Sequence, residues 1–405
     1  MVKRKLYSKL IDHLNKKEFS ILVGARQTGK STILKQIKDY LAEKNELVYS
    51  FSLEDFSILD ELNKHPENIF KFIKKPESQK IIILIDEIQY LDNPSNFLKL
   101  LFDKYAPLIK IIATGSSAFY IDDKFKDSLA GRKALFELYT LDFEEYLMFQ
   151  NANEKLIEEL KLIRENGNYI SLIRNELTSH FNNYLQFGGY PAVVISKNNE
   201  EKIQILKELY SSYLKKDTLE AGIQYQGKFQ NLLIILSHQI GSLLNINELS
   251  NTVGLSTTAV NNYIKILEKT FHIQLIKPFF NNIRKELTKM PKIYFNDLGM
   301  RNAVMNSFNN IDLRQDRGLI VENYIYTRLR DLYGNDNIKF WRTADGDETD
   351  FIYNNEEKQF AIESKYNYKE FSMLKHKKFI EIYKNIPINC RAYIASENNN
   401  NILAL

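Results

Sequence analysis

The chain has 405 residues, of which 44% are hydrophobic and 26% charged, and its formal net charge is +4. This length predicts two or three domains, and the composition is ordinary for a folded protein. A single cysteine, Cys390, excludes an intramolecular disulfide and a four-cysteine zinc site. The apolar runs are far shorter than the roughly 18 residues of a membrane span, and the basic first residues lack the apolar core of a signal peptide. We therefore expect a cytoplasmic protein that does not enter a membrane.

Short apolar runs alternate with helical patterns in the first third of the chain. The runs predict strands at residues 19–23, 47–53, 80–85, 109–113 and 134–139. Such alternation favours a parallel sheet covered on both faces. Residues 143–271 show mainly helical periodicity, and the segment Phe187-Gly188-Gly189-Tyr190-Pro191 predicts a turn within it. Short strands return at 339–342, 349–353 and 359–363.

The segment Gly24-Ala25-Arg26-Gln27-Thr28-Gly29-Lys30-Ser31 matches the phosphate-binding pattern GxxxxGK[ST] in full. A predicted strand precedes it, and a helix is predicted from Thr32 to Tyr40. The glycines let the backbone wrap around phosphate, and the amides at the start of a helix point at the anion. We therefore predict an ATP site from Gly24 to Thr32, with Lys30 on the β and γ phosphates and Ser31 on Mg²⁺.

Two carboxylates follow the most apolar of the predicted strands. Asp86 and Glu87 follow the apolar run at residues 81–85, and ionised side chains are rarely found at the end of so apolar a strand unless they have a function. Together with the upstream loop, this pattern predicts nucleotide hydrolysis, in which Asp86 holds the Mg²⁺ shell and Glu87 polarises the attacking water.

Polar groups that follow the fourth predicted strand are further candidates. We expect the hydroxyls of Thr114 and Ser116 beside Asp86 and Glu87, where they could sense the γ-phosphate or orient the water. The alternative is a turn rich in small residues. Arg132, next to a glycine, could reach a phosphate of its own chain or of a neighbouring copy, although most arginines are surface groups.

The middle of the chain predicts a winged helix. A short helix ends at Gly254, and Ser256 caps a second helix whose polar face carries Thr258, Asn261, Asn262, Lys265 and Lys269. An apolar run at 273–280, a basic stretch and a run at 292–295 then predict a hairpin. We expect the polar face to contact DNA and the wing lysines Lys285, Lys289 and Lys292 to contact phosphates. The alternative is a winged helix that binds protein or acts as a spacer.

A predicted hairpin near the C-terminus groups acidic residues. A four-residue loop at 355–358 places Asp350 opposite Glu363, and Lys365 shares the face of Glu363. Glu322, on a helix predicted at 319–332, could add a third carboxylate. These carboxylates are candidate Mg²⁺ ligands, and Lys365 could hold the nucleophile, as in PD-(D/E)xK nucleases. The alternative is a nuclease-like fold kept for its shape; neighbouring Asp345, Asp347 and Glu348 are interpreted as turn and surface groups.

Five segments occur in one order, namely 24–31, Asp86-Glu87-Ile88-Gln89-Tyr90, Thr114-Gly115-Ser116-Ser117, Leu129-Ala130-Gly131-Arg132 and 187–191. On the basis of these segments, the chain resembles the prokaryotic AAA-type ATPase family with a DUF4143 C-terminal region. The resemblance extends over nearly the whole length of the chain. The resemblance implies an α/β fold in three parts. These are a P-loop AAA-type domain with a parallel sheet at 1–165, a helical region with a winged helix-turn-helix at 166–310, and a PD-(D/E)xK nuclease-like α/β domain, similar to restriction endonucleases, at 311–405.

These expectations together predict an Mg²⁺-dependent protein that binds and hydrolyses ATP and acts on DNA. ATP and DNA are the expected partners, and a homo-oligomer is left open. One alternative is a nucleotide-gated switch or scaffold that binds protein. Another is an ATP-controlled DNA nuclease. Stimulation of ATP turnover by DNA would favour the first interpretation, and metal-dependent cleavage would favour the nuclease.

Overall fold

A computed structural model describes residues 2–106, 108–115, 129–166, 169, 171–280, 289–355, 357–396 and 400–405. The chain divides into two compact units, one of residues 1–141 with 269–271 and the other of residues 142–268 with 272–405. The three-part division expected from the sequence remains a prediction. None of the helices that the structure describes combines the length and the apolar character needed to span a lipid bilayer.

The first unit contains a parallel sheet. Its strands are β1 (Phe19–Val23), β2 (Val48–Ser52), β3 (Ile81–Asp86), β4 (Ile109–Gly115) and β5 (Lys133–Glu137). Its described helices are α1 (Lys5–Asp12), α2 (Lys30–Glu43), α3 (Phe56–Lys64) and α4 (Pro94–Tyr105), with 3-10 helices at His13–Asn15, Pro66–Lys71 and Ile88–Tyr90. The sheet order is β2-β3-β4-β1-β5, and all neighbours are parallel. The predicted parallel sheet is confirmed, and every strand bound lies within two residues of its expected position.

The three central strands, β1, β3 and β4, are buried on both faces, which explains their continuous apolar runs, whereas β2 and β5 at the two sides of the sheet are partly exposed. Alternate residues of a strand point to opposite faces. Ile83 and Ile85 accordingly belong to one apolar core, while Ile82 and Leu84 belong to another. The core with Ile83 includes α4 residues, and the core with Ile82 includes residues from α1 and α2.

The second unit begins with helices and ends with a mixed sheet. Its described helices are α5 (Phe143–Phe149), α6 (Glu154–Glu165), α7 (Arg174–Phe187), α8 (Pro191–Ile195), α9 (Asn199–Ser212), α10 (Thr218–Glu220), α11 (Gln226–His238), α12 (Ile246–Val253), α13 (Thr257–Lys269), α14 (Leu298–Met305), α15 (Arg317–Tyr333) and α16 (Lys377–Ile382). Its strands are β6 (Ile273–Pro278), β7 (Lys292–Phe295), β8 (Ile338–Arg342), β9 (Glu348–Asn354), β10 (Gln359–Asn367) and β11 (Ile388–Ile394). Short 3-10 helices lie at Ile311–Leu313, Asn335–Asn337, Tyr368–Glu370, Met373–His376 and Ile402–Ala404.

One six-stranded sheet, in the order β11-β10-β9-β8-β6-β7, runs through the second unit. Strands β6 and β7 form the predicted antiparallel hairpin, with Ile273 opposite Phe295. Strand β6 also pairs in parallel with β8, at Lys277–Lys339 and Pro278–Phe340. The sequence analysis did not anticipate this pairing, which joins the hairpin to the C-terminal strands.

The double-glycine segment is the predicted turn, because α7 ends at Phe187 and α8 begins at Pro191. Gly188 has a φ of +73°, in the region that favours glycine. The Gly189 N–H donates to Asp297 Oδ2 at 2.8 Å, and Asp297 also caps α14. A Cβ at Gly299, in the first turn of α14, would stand 2.0 Å from the Phe187 carbonyl oxygen. The turn is therefore held by a close approach between two backbone segments.

We expect Gly299→Ala to lower the free energy of unfolding by about 1–3 kcal/mol, because the new methyl group overlaps the Phe187 carbonyl. Gly318→Ala in α15 is the matched control. Nothing lies within 4 Å of an added Cβ there, so the control is expected to be neutral or up to about 1 kcal/mol more stable. Denaturant unfolding measures both, and equal effects of the two substitutions would contradict the close approach.

Candidate functional site

The predicted phosphate-binding loop connects β1 to α2 in the first unit. Strand β1 ends at Val23, and α2 begins at Lys30. A Cβ at Gly24 would lie 2.1 Å from the Leu138 carbonyl oxygen, and Gly29 has a φ of +101°. These two positions therefore require glycine for different reasons, one for close approach and one for backbone conformation.

Hydrogen bonds fold the loop onto itself. Lys30 is 5% exposed, and its Nζ donates to the carbonyl oxygens of Gly24 at 2.9 Å and Ala25 at 2.8 Å. The Thr28 hydroxyl donates to the Ala25 carbonyl at 2.9 Å. Ser31 and Thr32 are exposed in the first turn of α2. Because the first amides of a helix have no acceptor within that helix, this end of α2 favours an anion.

Arg4 is a buried residue of this site that the sequence analysis missed. Its Nη1 donates to the Thr28 carbonyl at 2.8 Å, and its Nη2 donates to the carbonyls of Tyr139 at 3.0 Å and Thr140 at 3.3 Å. One guanidinium thus joins the phosphate-binding loop to the segment after β5. An arginine near the start of a basic segment carries no sequence pattern that distinguishes it from an exposed one.

The ends of β3 and β4 bring together the predicted hydrolytic residues. The Thr114 hydroxyl donates to Asp86 Oδ1 and accepts from the Glu87 N–H at 3.1 Å. The Gln89 side chain donates to the Glu87 carboxylate, and Glu87 has a left-handed backbone with a φ of +59°. The expected proximity of Thr114 to both acidic residues is confirmed, while Ser116 lies outside the described residues. A non-glycine residue in this conformation costs about 1–3 kcal/mol and is common at functional sites.

These groups share the carboxyl edge of the sheet. Thr114 pairs with Leu22 near the end of β1, and Ala113 pairs with Ile85 of β3. The loop that follows β1 and the carboxylates that follow β3 therefore lie at one edge, separated by the width of β4. The Ser31 hydroxyl and the Asp86 carboxylate carry hard oxygen atoms, which fit Mg²⁺.

Arg132 lies at the opposite edge of the same sheet. Its carbonyl accepts from the Phe19 N–H at 2.9 Å, at the start of β1, whereas the loop follows the end of that strand. Five strand residues span about 16 Å. The guanidinium binds Asp103, with Nε to Oδ1 at 2.7 Å and Nη2 to Oδ2 at 3.3 Å. The structure thus does not bring Arg132 to the loop of its own chain, and a role toward a neighbouring copy remains a prediction.

In the second unit, the predicted hairpin register is as expected. Gln359 pairs with Asn354 and Ile362 with Phe351, so the next pair in the register is Glu363 with Asp350. The Asp350 N–H points to Glu363 Oε2 at 3.4 Å, and Lys365 Nζ contacts Glu363 Oε1 at 2.6 Å. Asp350 Oδ2 accepts from the Ser364 N–H and hydroxyl, at 2.8 and 2.7 Å.

Lys292 extends from β7 into this carboxylate cluster. The prediction that it is a wing lysine that contacts phosphates is therefore wrong. The side chain is 1% exposed, and its Nζ lies 3.0 Å from Glu322 Oε1 and 3.8 Å from Asp350 Oδ1. It also pairs with Glu348, which the sequence analysis had interpreted as a surface group. The Tyr294 hydroxyl donates to the same Glu322 oxygen at 2.7 Å. Glu322 therefore belongs to the cluster, as predicted, but Lys292 lies between it and Asp350.

Burial dominates the electrostatics of the cluster. It raises the pKa of Glu322 to about 7, although Lys292 counteracts the shift. Burial, followed by the charge of Asp350, raises the pKa of Glu363 to about 8. Burial lowers the pKa of Lys292, but Glu322, Asp350 and Glu348 raise it by more, so the net shift is upward and the ammonium stays charged. Among the described residues, no three or more His, Cys, Asp and Glu side chains converge in a way that could hold a metal ion.

Two helices joined by a short turn, α12 and α13, lie where the sequence predicts a helix-turn-helix. Helix α12 ends at Gly254, which has a φ of +66°, and the Ser256 hydroxyl caps α13 by accepting from the Ala259 N–H at 3.2 Å. Leu243 forms an antiparallel bridge to Lys292 beside the β6–β7 hairpin. The exposed residues of α13 include Thr258, Asn261, Asn262 and Lys265. Lys289 is exposed, and Lys285 lies outside the described residues.

Three family models match separate parts of the chain. Residues 16–147 match an AAA domain, 178–311 match a domain of unknown function, DUF8612, and 317–403 match another, DUF4143. The AAA match coincides with the parallel sheet and its phosphate-binding loop. The first unit therefore has a P-loop AAA-type fold, and the chain combines it with a DUF4143 region.

Similar proteins span most of the chain. An uncharacterised protein of Haemophilus influenzae is 26% identical and covers 98% of this chain and 95% of its own. One of Methanocaldococcus jannaschii is 26% identical, over 89% and 76%. Among solved structures, the Thermotoga maritima RuvB Holliday junction branch migration motor has a TM-score of 0.34 and 13% identity, over 71% and 95%. AMPPCP-bound DnaA from Aquifex aeolicus has a TM-score of 0.32 and 15% identity, over 66% and 89%.

We expect Arg4→Ala to lower the free energy of unfolding by about 1–3 kcal/mol, because one buried and two partly buried carbonyl oxygens lose a charged donor. Hydrogen exchange should also become faster in residues 24–30. Lys9→Ala, at an exposed position of α1, is the control and should change stability by less than about 0.5 kcal/mol. Unchanged exchange in the loop of Arg4→Ala would show that this arginine does not hold it.

Proposed function

We propose that this protein is an Mg²⁺-dependent ATPase that acts on DNA. The observation that carries the ATPase assignment is the Thr114 hydroxyl between Asp86 and Glu87, at the same sheet edge as the Lys30 loop. A strand-end carboxylate pair beside a GxxxxGK[ST] loop is specific for nucleotide hydrolysis. The AAA domain match over residues 16–147 supports the same assignment.

Each residue has a defined task in this proposal. Lys30 leaves the loop carbonyls and binds the β and γ phosphates, while the amides of residues 24–32 bind the phosphate oxygens. Ser31 and Asp86 would hold Mg²⁺, which would supply positive charge that neutralises the phosphates of ATP. Glu87 orients and polarises the attacking water. Thr114 positions both acidic residues through its hydroxyl, and Ser116 stays a candidate for the same region.

DNA is the proposed macromolecular partner because of the described helix-turn-helix. The order α11, Leu243 bridge, α12, α13 and the β6–β7 hairpin supports the proposal of a winged helix. Exposed amide, hydroxyl and ammonium groups on α13 are of the types that contact bases and phosphates. Lys289 is the described wing residue that remains available for phosphate contact, since Lys292 is buried. A homo-oligomer in which Arg132 approaches a neighbour's nucleotide is part of the same proposal.

We expect Glu87→Gln to bind ATP as tightly as the wild type but to hydrolyse it about 10²–10⁴ times more slowly, because the water loses its carboxylate. Lys30→Ala should weaken ATP binding about 10- to 100-fold through loss of a charged donor. Glu54→Gln, at an exposed position after β2, is the control and should retain turnover. Phosphate release and ATP titration separate the two effects. Equal turnover by Glu87→Gln and the wild type would refute the assignment.

The DNA proposal predicts different effects on DNA binding for two substitutions in α13. Lys265→Ala should weaken binding to all duplex sequences and reduce the salt dependence by about 0.9 in log–log slope, because one phosphate contact is lost. Asn261→Ala should instead reduce discrimination between sequences by about 1–3 kcal/mol. Lys197→Ala, also exposed, is the charge-matched control. Fluorescence anisotropy with labelled duplexes measures these effects. DNA binding that neither substitution changes would place the contact elsewhere, and ATP turnover unaffected by DNA would favour a protein-binding switch.

A further inference from the structure

The C-terminal hairpin carries the residues of a metal-dependent nuclease pattern, but its surroundings do not fit a divalent metal ion. Mg²⁺ needs several oxygen atoms at about 2.0–2.1 Å in octahedral geometry. Here an ammonium group from β7 lies among the carboxylates of Glu322, Glu348 and Asp350. An ammonium and a dication cannot share that position, because they repel each other and compete for the same oxygen atoms.

Three further oxygen atoms of the cluster are also engaged. Asp350 Oδ2 accepts two hydrogen bonds from Ser364, and Glu363 Oε1 contacts Lys365. Glu348 Oε2 accepts from Arg342 at 2.6 Å. Four carboxylates therefore face three permanent cations within the protein. The charge that a bound metal usually neutralises is already largely compensated by side chains.

We propose that the Lys292 ammonium takes the position of the divalent cation and that the C-terminal cluster folds and functions without a metal ion. Lys292 is the internal counter-ion that fixes β7, α15 and β9 to one another through Glu322, Glu348 and Asp350. The nuclease-like residues then have a structural role, and DNA bound by the protein is not cut at this cluster. This inference does not depend on the proposed ATPase, whose residues lie in the other unit.

The test measures stability and Mn²⁺ binding in the full chain without nucleotide. All variants carry Asp86→Asn, which removes the carboxylate proposed to hold a metal ion in the nucleotide site. Lys292→Met should lower the melting temperature by about 6 °C or more, because it leaves buried carboxylates without their counter-ion. Addition of Mn²⁺ at about 1 mM should restore part of that loss, because the carboxylates that have lost the ammonium can then bind another cation. Lys289→Met, three positions away and exposed, is the matched control and should melt like the background with and without Mn²⁺.

A second variant keeps the test decisive if Lys292→Met does not fold. The double variant Lys292→Met with Glu322→Gln removes the ammonium and one of the carboxylates that it contacts. It should melt closer to the background than the single variant does. Electron paramagnetic resonance of Mn²⁺ should show no ion bound to the Asp86→Asn background. One Mn²⁺ bound there and lost on Asp350→Asn would overturn the proposal. So would a Lys292→Met protein that melts like the background, or one that Mn²⁺ does not stabilise.

Discussion

The buried ammonium of Lys292 is the interaction on which the second unit depends. The Lys292 ammonium is 1% exposed, and the carboxylates that compensate its charge come from α15 and β9. The same residue lies in β7, which pairs with β6, and β6 pairs with β8. Charge compensation and strand pairing therefore reinforce each other. Together they make the β6–β7 hairpin part of the C-terminal sheet.

Neighbouring carboxylates have different partners in the two units. In the first unit, Asp86 and Glu87 are only half-buried and are positioned by the neutral hydroxyl of Thr114. In the second, Glu322 and Glu363 are buried, and cations from the same chain contact them. A neutral positioning group leaves negative charge at the sheet edge, which suits an incoming cation and its phosphates. An internal lysine or arginine removes that attraction.

Local patterns were sufficient to predict the strands, the phosphate-binding loop and the Asp350–Glu363 register. The strands followed from apolar runs, and the register followed from a four-residue loop whose length sets the pairing. Lys292 could not be placed in this way, because its burial depends on carboxylates 30 to 58 positions away. Arg4 bonds to carbonyls up to 136 positions away. The sequence motif identified Arg132 as a candidate, but only the sheet geometry places it at the edge where β1 begins. Long-range electrostatic partners therefore set the limit of prediction from sequence.

The bond between the double-glycine turn and Asp297 has a consequence for synthesis of the chain. Donor and acceptor are 108 positions apart, and a ribosome adds roughly 5–20 residues per second. The residues of the turn between α7 and α8 are therefore synthesised about 5–20 s before their acceptor. During that interval the Gly189 N–H has water in place of the carboxylate. The helical part of the second unit thus reaches its final packing only after the start of α14 has been translated.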